Sequence, residues 1–257
     1  MATPRVFIVR HGETEWSLDG RHTGRTDIPL TANGEKRVKA TGKALVGNDR
    51  LIVPKQLAHM TTVVVAAVIA DMHTAGYFML LYFIPPGSGP GYVSPRKRAQ
   101  RTFELLNLGI KDPLPWHEHG QKPTDKPATD DCNARVEVTE AIREWDYGDY
   151  EGITSPAIRD LREKQGLNRD WDIWRDGCVG GESPEEVTKR VDELIHEIRS
   201  KYHAHVIGKP KGSAPCGDIL IVAHGHILRA FAMRWVGKTL PSGPSFLLEA
   251  GGIGTLR

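Results

Sequence analysis

Two short apolar runs in this chain lead into a histidine followed by glycine, and the chemistry begins there. Residues 5–9, RVFIV, lead into Arg10-His11-Gly12-Glu13-Thr14, and residues 218–223, DILIVA, lead into His224-Gly225-His226. A neutral imidazole is a competent nucleophile towards phosphorus, and an adjacent guanidinium offsets phosphoryl charge. His11 therefore reads as a nucleophile and Arg10 as a phosphate clamp. Gly12 reads as a compact turn whose backbone N–H groups approach an anion. His224 reads as a second imidazole on a phosphoryl oxygen, especially when protonated. Taken one at a time, each has a plainer reading: a surface Arg-His pair, or a core histidine with one backbone partner.

Two further stretches supply what such a reaction lacks. Ser94-Pro95-Arg96-Lys97-Arg98-Ala99-Gln100-Arg101-Thr102 carries three arginines. Arg98 is favoured to face inward because it opens the first turn of a helix, where anions are attracted. Arg96 and Arg101 are expected to be solvated. The stretch from Glu140 to Gly152 holds Glu144 and Asp146. A leaving alkoxide needs a proton, and a carboxylic acid beside a phosphate anion has its pKa raised towards the working range. Spacing does not choose between these two acids.

The elements that must position these groups are legible in outline. RVFIV and DILIVA are β-branched, nearly continuous apolar runs, which marks them as buried strands. Thr31 can cap a helix with Val38, Thr41 and Leu45 on one face. Ser183-Pro184-Glu185-Glu186 offers a cap, a first-turn proline and a capping-box glutamate, followed by Val187, Val191, Leu194 and Ile198. Buried strands alternating with amphipathic helices predict an α/β fold, an open, mostly parallel sheet in three layers with helices on both faces. Ligands in such folds collect beyond the carboxyl ends of the strands, which puts His11 and His224 on one edge.

Composition narrows the classes. Lys plus Arg number 34 against 32 Asp plus Glu, for a formal net charge of +2, and no basic block sits beside aromatics. Nucleic acid is not an expected partner. Cys132, Cys178 and Cys216 are odd in number and widely spaced, with neither a zinc-like cluster nor a disulfide framework, and they fit a reducing compartment. No metal ligand set and no cofactor motif stands out. The N-terminus has no signal-peptide pattern, so cytoplasm is the expected location.

Residues 60–91 break the pattern. Met60 to Ile84 carries one formal charge, Asp71, and PPGSGPG follows. The run has the length of a membrane span, but its polar residues and ordinary flanks argue against one. With 60–91 set aside, QLAH joins YVSPRKRAQRT as a strand leading into a cationic loop. The segment therefore reads as an insertion in a single domain spanning 1–257, consistent with a retained intervening sequence. A looped hairpin or a helix lying on the core is the alternative.

Four ordered motifs together, IVRHGETEW (8–16) with HTGRTDIPLTANG (22–34), YVSPRKRAQRT (92–102), REWDYGDYEG (143–152) and IVAHGHILRA (221–230), resemble the histidine phosphatase superfamily, also called phosphoglycerate mutase-like. The resemblance covers nearly all the chain outside 60–91. It implies that His11 becomes phosphohistidine, that Arg10, Arg98 and His224 hold the phosphate, and that Glu144 is the acid and then the base. It further implies Thr23 and Gly24 as substrate contacts, a fold of mixed sheet flanked by helices, and no metal. GDYEG and HGHILR look like the phosphatase branch rather than the mutases. DIWRDGCVGGES (172–183) resembles the fungal sedoheptulose 1,7-bisphosphatase group, cytosolic sugar-bisphosphate phosphatases of the pentose phosphate network. Arg175, Asp176 and Ser183 are candidate partners for a polyol or its second phosphate. A generic sugar-phosphate phosphatase, a mutase-like enzyme and an inactive metabolite-binding module are the alternatives, and a homo-oligomer is left open. The chain stops at LEAGGIGTLR (248–257), where similar sequences continue, so a truncated C-terminus is also expected.

Overall fold

The computed structural model describes residues 2–57, 90–127, 132–210, 217–244 and 246–257. Five strands among them form one sheet: β1 (Val6–Arg10), β2 (Pro90–Val93), β3 (Arg135–Val138), β4 (Ile219–Ala223) and β5 (Ile253–Leu256). Their spatial order is β3-β2-β4-β1-β5. Every pair is parallel except β1 with the edge strand β5. This is the mostly parallel mixed sheet that the sequence predicts.

Strand alternation sorts the apolar side chains into two cores, one on each face of the sheet. Phe7 and Val9 of β1 and Leu220 and Val222 of β4 face one way, against Val38 of α2 (Ala32–Leu45) and Ala99 and Phe103 of α3 (Lys97–Leu106). Val6, Ile8, Ile219 and Ile221 face the other way. They meet Val187, Val191 and Leu194 of α6 (Pro184–Glu197) and Ile227 and Phe231 of α7 (Gly225–Trp235). Fully burying one such side chain stabilises by about 1.5–3 kcal/mol, so the two cores hold the sheet at a fixed level on both faces. Shorter helices, α1 (Glu15–Asp19), α4 (Ser155–Lys164) and α5 (Ile173–Asp176), lie among the loops at the carboxyl end.

The predicted caps form. Thr31 accepts from the Gly34 amide at the start of α2, and Ser183 with Glu186 closes a capping box on α6. Cys132 and Cys178 are buried free thiols, while Cys216 lies outside the described residues. No helix among the described residues is long and apolar enough to cross a membrane.

Residues 60–89 of the expected insertion lie outside the described residues. Its expected end needs correcting. Gly91 pairs with Leu220 on one side and Val136 on the other, so 90–91 belong to a central strand.

Candidate active site

Register assembles the site. Arg10 of β1 lies opposite Ala223 of β4, so His11 and His224 leave adjacent strands at the same level. Val93 of β2 lies opposite Val222, which brings Ser94 to the same edge. The His11 and His224 rings end up 5.0 Å apart, centroid to centroid, in an edge-on arrangement.

His11 is buried, and its Nδ1 lies 2.7 Å from the Gly12 carbonyl. A carbonyl can only accept, so Nδ1 carries the proton and Nε2 is left with its lone pair. Burial, then the charges of Arg98 and Arg10, push the His11 pKa well below the usual imidazole range. Gly12 has a different role from the expected one. Its N–H donates to the Thr102 hydroxyl, which itself donates to the Arg98 carbonyl, so it ties the nucleophile loop to α3.

Arg98 is fully buried in the first turn of α3. Its Nε donates to His224 Nδ1 at 3.2 Å, and Nη1 and Nη2 donate to the carbonyls of Thr26 and Thr23, each at 2.8 Å. These contacts leave one N–H on each terminal nitrogen for an anion. His224 corrects a second expectation. Its Nδ1 must accept from Arg98, so its proton sits on Nε2, 2.7 Å from Ser94 Oγ. Burial first, and the charge of Arg98 next, drive its pKa well down, so it is a neutral donor rather than an imidazolium. Arg10 donates through Nη1 to the Leu248 carbonyl, while its buried Nε has no partner among the described residues.

Structure separates the two acids. Asp146 is tied by its carboxylate to Arg25 and to the Gly148 amide. Glu144 is buried at the start of α7, where it accepts from the backbone amides of Trp145, His226 and Ile227. The chain on either side of it is anchored by Glu182, which receives the Arg143 and Arg190 side chains and the Asp146 amide.

Of the two arginines expected to be solvated, Arg101 is buried and Arg96 only partly so. Arg101 is buried between Glu35 of α2 and Glu104, because acids from two helices neutralise it. Arg96 donates to the Gly24 carbonyl. Thr23 and Gly24 do come to Arg98 and Arg96, through their carbonyls. Arg175 and Ser183 do not join the cluster. Arg175 is half exposed and taken up by Asp170 and Asp176, and the Ser183 hydroxyl caps α6.

The wall beside Glu144 is not legible in the sequence. His22, Tyr147, Trp171, Trp174 and His226 pack ring to ring, with the Tyr147 hydroxyl 2.8 Å from His226 Nδ1 and the Arg229 guanidinium over Trp174. Burial lowers the His22 pKa to about 4 and puts that of His226 well below its usual value. The signal was there in HGHILR and EWDY, but nothing in the spacing says that these aromatics share a wall.

A buried imidazole with a free Nε2, two guanidinium groups, a second imidazole and one acid are thus brought together at a strand edge. The sequence model of the histidine phosphatase superfamily, branch 1, matches residues 6–53 and 122–257, and the chain belongs to that superfamily. It is a phosphoric monoester hydrolase of this group. Sedoheptulose 1,7-bisphosphatase of Saccharomyces cerevisiae is 32% identical, across 99% of this chain and 87% of the yeast protein. An acid phosphatase of Mycobacterium tuberculosis is 29% identical across 97% of this chain and 84% of its own. The solved structure of a Mycobacterium tuberculosis open reading frame superposes with a TM-score of 0.59 at 28% identity, covering 98% of this chain and 90% of that one.

Proposed function

We propose that the protein hydrolyses a sugar bisphosphate through a phosphohistidine on His11, with sedoheptulose 1,7-bisphosphate as the first substrate to try. The observation that carries the mechanism is the Nδ1–H of His11 on the Gly12 carbonyl, which leaves Nε2 as the attacking atom. In the first step Nε2 bonds to phosphorus and the ester P–O bond breaks. The free N–H groups of Arg10 and Arg98 take the non-bridging oxygens, where charge is redistributed in the transition state, and His224 joins them when its Nε2–H moves from Ser94 Oγ to the phosphoryl group. Glu144 takes up the proton of the bound monoester and passes it to the departing sugar oxygen. In the second step water attacks phosphorus from the vacated side, Glu144 accepts its proton, and the P–N bond breaks.

The yeast relative supports the choice of sugar. Buried free thiols at Cys132 and Cys178 fit a reducing compartment such as the cytoplasm. Acid-quench labelling with substrate carrying labelled phosphate tests the mechanism. Label should appear on His11 in the parent and be absent from His11→Ala. Steady-state turnover without label would overturn it. A panel of sugar mono- and bisphosphates tests the substrate, with kcat/KM highest for the seven-carbon bisphosphate. Isomerisation of 3-phosphoglycerate in preference to any hydrolysis would overturn the choice.

A further inference from the structure

The loop from Thr23 to Thr26 is gripped at both ends of its peptide groups. Glu151 Oε1 accepts from the amides of Gly24, Arg25 and Thr26 at 3.1, 3.1 and 2.9 Å, and Oε2 accepts from Gly24 again at 2.9 Å. Successive amides converging on one carboxylate form a backbone anion site, here filled by an anion from the protein itself. On the opposite side the carbonyls of Thr23 and Thr26 receive Arg98, and that of Gly24 receives Arg96.

Peptide planarity couples the two sides. The Thr23 carbonyl and the Gly24 N–H belong to one rigid plane and point in opposite directions, as do the Gly24 carbonyl and the Arg25 N–H. The first plane is therefore held by Glu151 at its N–H and by Arg98 at its carbonyl. The second is held by Glu151 and Arg96. Hydrogen bonds at both ends of a peptide polarise it and strengthen one another. The loop is also seated tightly, since a Cβ on Gly24 would lie 2.5 Å from the Trp145 carbonyl. Of the three protein contacts that aim the Arg98 guanidinium, the Thr23 carbonyl is thus coupled directly to Glu151, the Thr26 carbonyl belongs to a residue whose amide Glu151 holds, and the third is His224.

We propose that Glu151 is a positioning residue of the active site, the resident anion of the 24–26 backbone nest that fixes Arg98 and, through it, His224. This rests on the phosphohistidine reading, because only there does Arg98 have a phosphoryl charge to meet. The test uses full-length Glu151→Ala and Glu151→Gln with an aryl phosphate, titrated with formate against chloride at constant ionic strength. Glu151→Ala should lose kcat on the order of 10- to 100-fold, the scale of a misplaced catalytic group, with KM little changed. Formate, a carboxylate small enough for the emptied nest, should restore kcat saturably in Glu151→Ala and leave the parent unaffected. Glu151→Gln keeps an acceptor without the charge and should fall between the two. Parental kcat in Glu151→Ala would overturn the proposal. So would a loss that formate does not reverse in a variant that melts like the parent. If Glu151→Ala does not fold, a folded Glu151→Gln with parental kcat overturns it. A parent that turns over without labelled His11 ends the phosphohistidine reading, whereas a labelled parent with an unimpaired Glu151→Ala ends only this inference.

Discussion

Arg98 Nε donates to His224 Nδ1 at 3.2 Å, so a permanently charged side chain decides which nitrogen of the second imidazole carries its proton. The remaining proton points along Nε2, towards the edge of the pocket where Ser94 stands. His224 is thereby fixed as one neutral tautomer before any substrate arrives, with its single N–H held by Ser94 Oγ, the group that must yield it to a phosphoryl oxygen.

Arg98→Lys tests this arrangement. An ammonium keeps the charge but cannot reach His224 and two loop carbonyls in one planar fork. The expected outcome is a fall in kcat/KM on the order of 10²-fold or more, with most of it in kcat. Steady-state kinetics on an aryl phosphate measures it. Near-parental rates would show that charge alone suffices.

Stability should fall as the solution is acidified below the ordinary imidazole pKa. Burial lowers the pKa of His22 and of His203 to about 4 in the folded chain, against about 6.5 when unfolded. Between those values the unfolded chain binds protons that the folded one refuses, so each group's contribution is present above about 6.5 and is lost as pH falls towards 4. Melting temperature recorded against pH should show that slope, and His203→Gln should flatten it. Imidazole NMR of the free protein should also show His11, His224 and His226 staying neutral between pH 6 and 8. Titration of His11 in that window would contradict its burial.

The sequence was informative where a local rule governs. Apolar runs ending at His11 and His224 announce strand ends, and Thr31 and Ser183 announce helix starts, because each signal lies within a few residues. It misled where a charge is neutralised from far away. Arg101 reads as one more base in a cationic loop, yet Glu35, distant in sequence, helps to bury it. Arg175 and Ser183 read as free ligands because their partners, Asp170 and the Glu186 amide, look like ordinary neighbours. Glu151 carries no signal at all, since the amides that donate to it belong to a loop far away in the sequence.

Gly34→Ala should cost about 1–3 kcal/mol, the usual penalty of overpacking a tight contact. A Cβ there would lie 2.4 Å from the Glu13 carbonyl, and backbone cannot swing aside as a side chain does. Because Glu13 follows the nucleophile loop, α2 or that loop must retreat. Urea unfolding of the variant measures the cost, and an unchanged midpoint would mean that the contact relaxes freely.

Deleting residues 60–91 should leave a folded, active enzyme, because the sheet keeps count across the segment. Leu57 forms a parallel bridge to Asp218, and Tyr92 pairs with Ile221. In the shortened chain Leu57, Ala58, His59 and Tyr92 would stand opposite Asp218, Ile219, Leu220 and Ile221 in turn, with no rung missing and none doubled. Side-chain alternation agrees. Leu57 and Val93 belong to the core on one face and Tyr92 to the core on the other, which is the order that a continuous strand demands. His59 would take the rung of Gly91, where an added Cβ meets nothing closer than Phe103 Cε2 at 3.4 Å. Ser94 and Arg98 would then leave an unbroken strand at the same level as before. The deletion variant should melt at or above the parental temperature and keep kcat/KM within a few-fold. Failure to fold, or loss of phosphohistidine labelling in a variant that does fold, would show that 60–91 contributes to the domain.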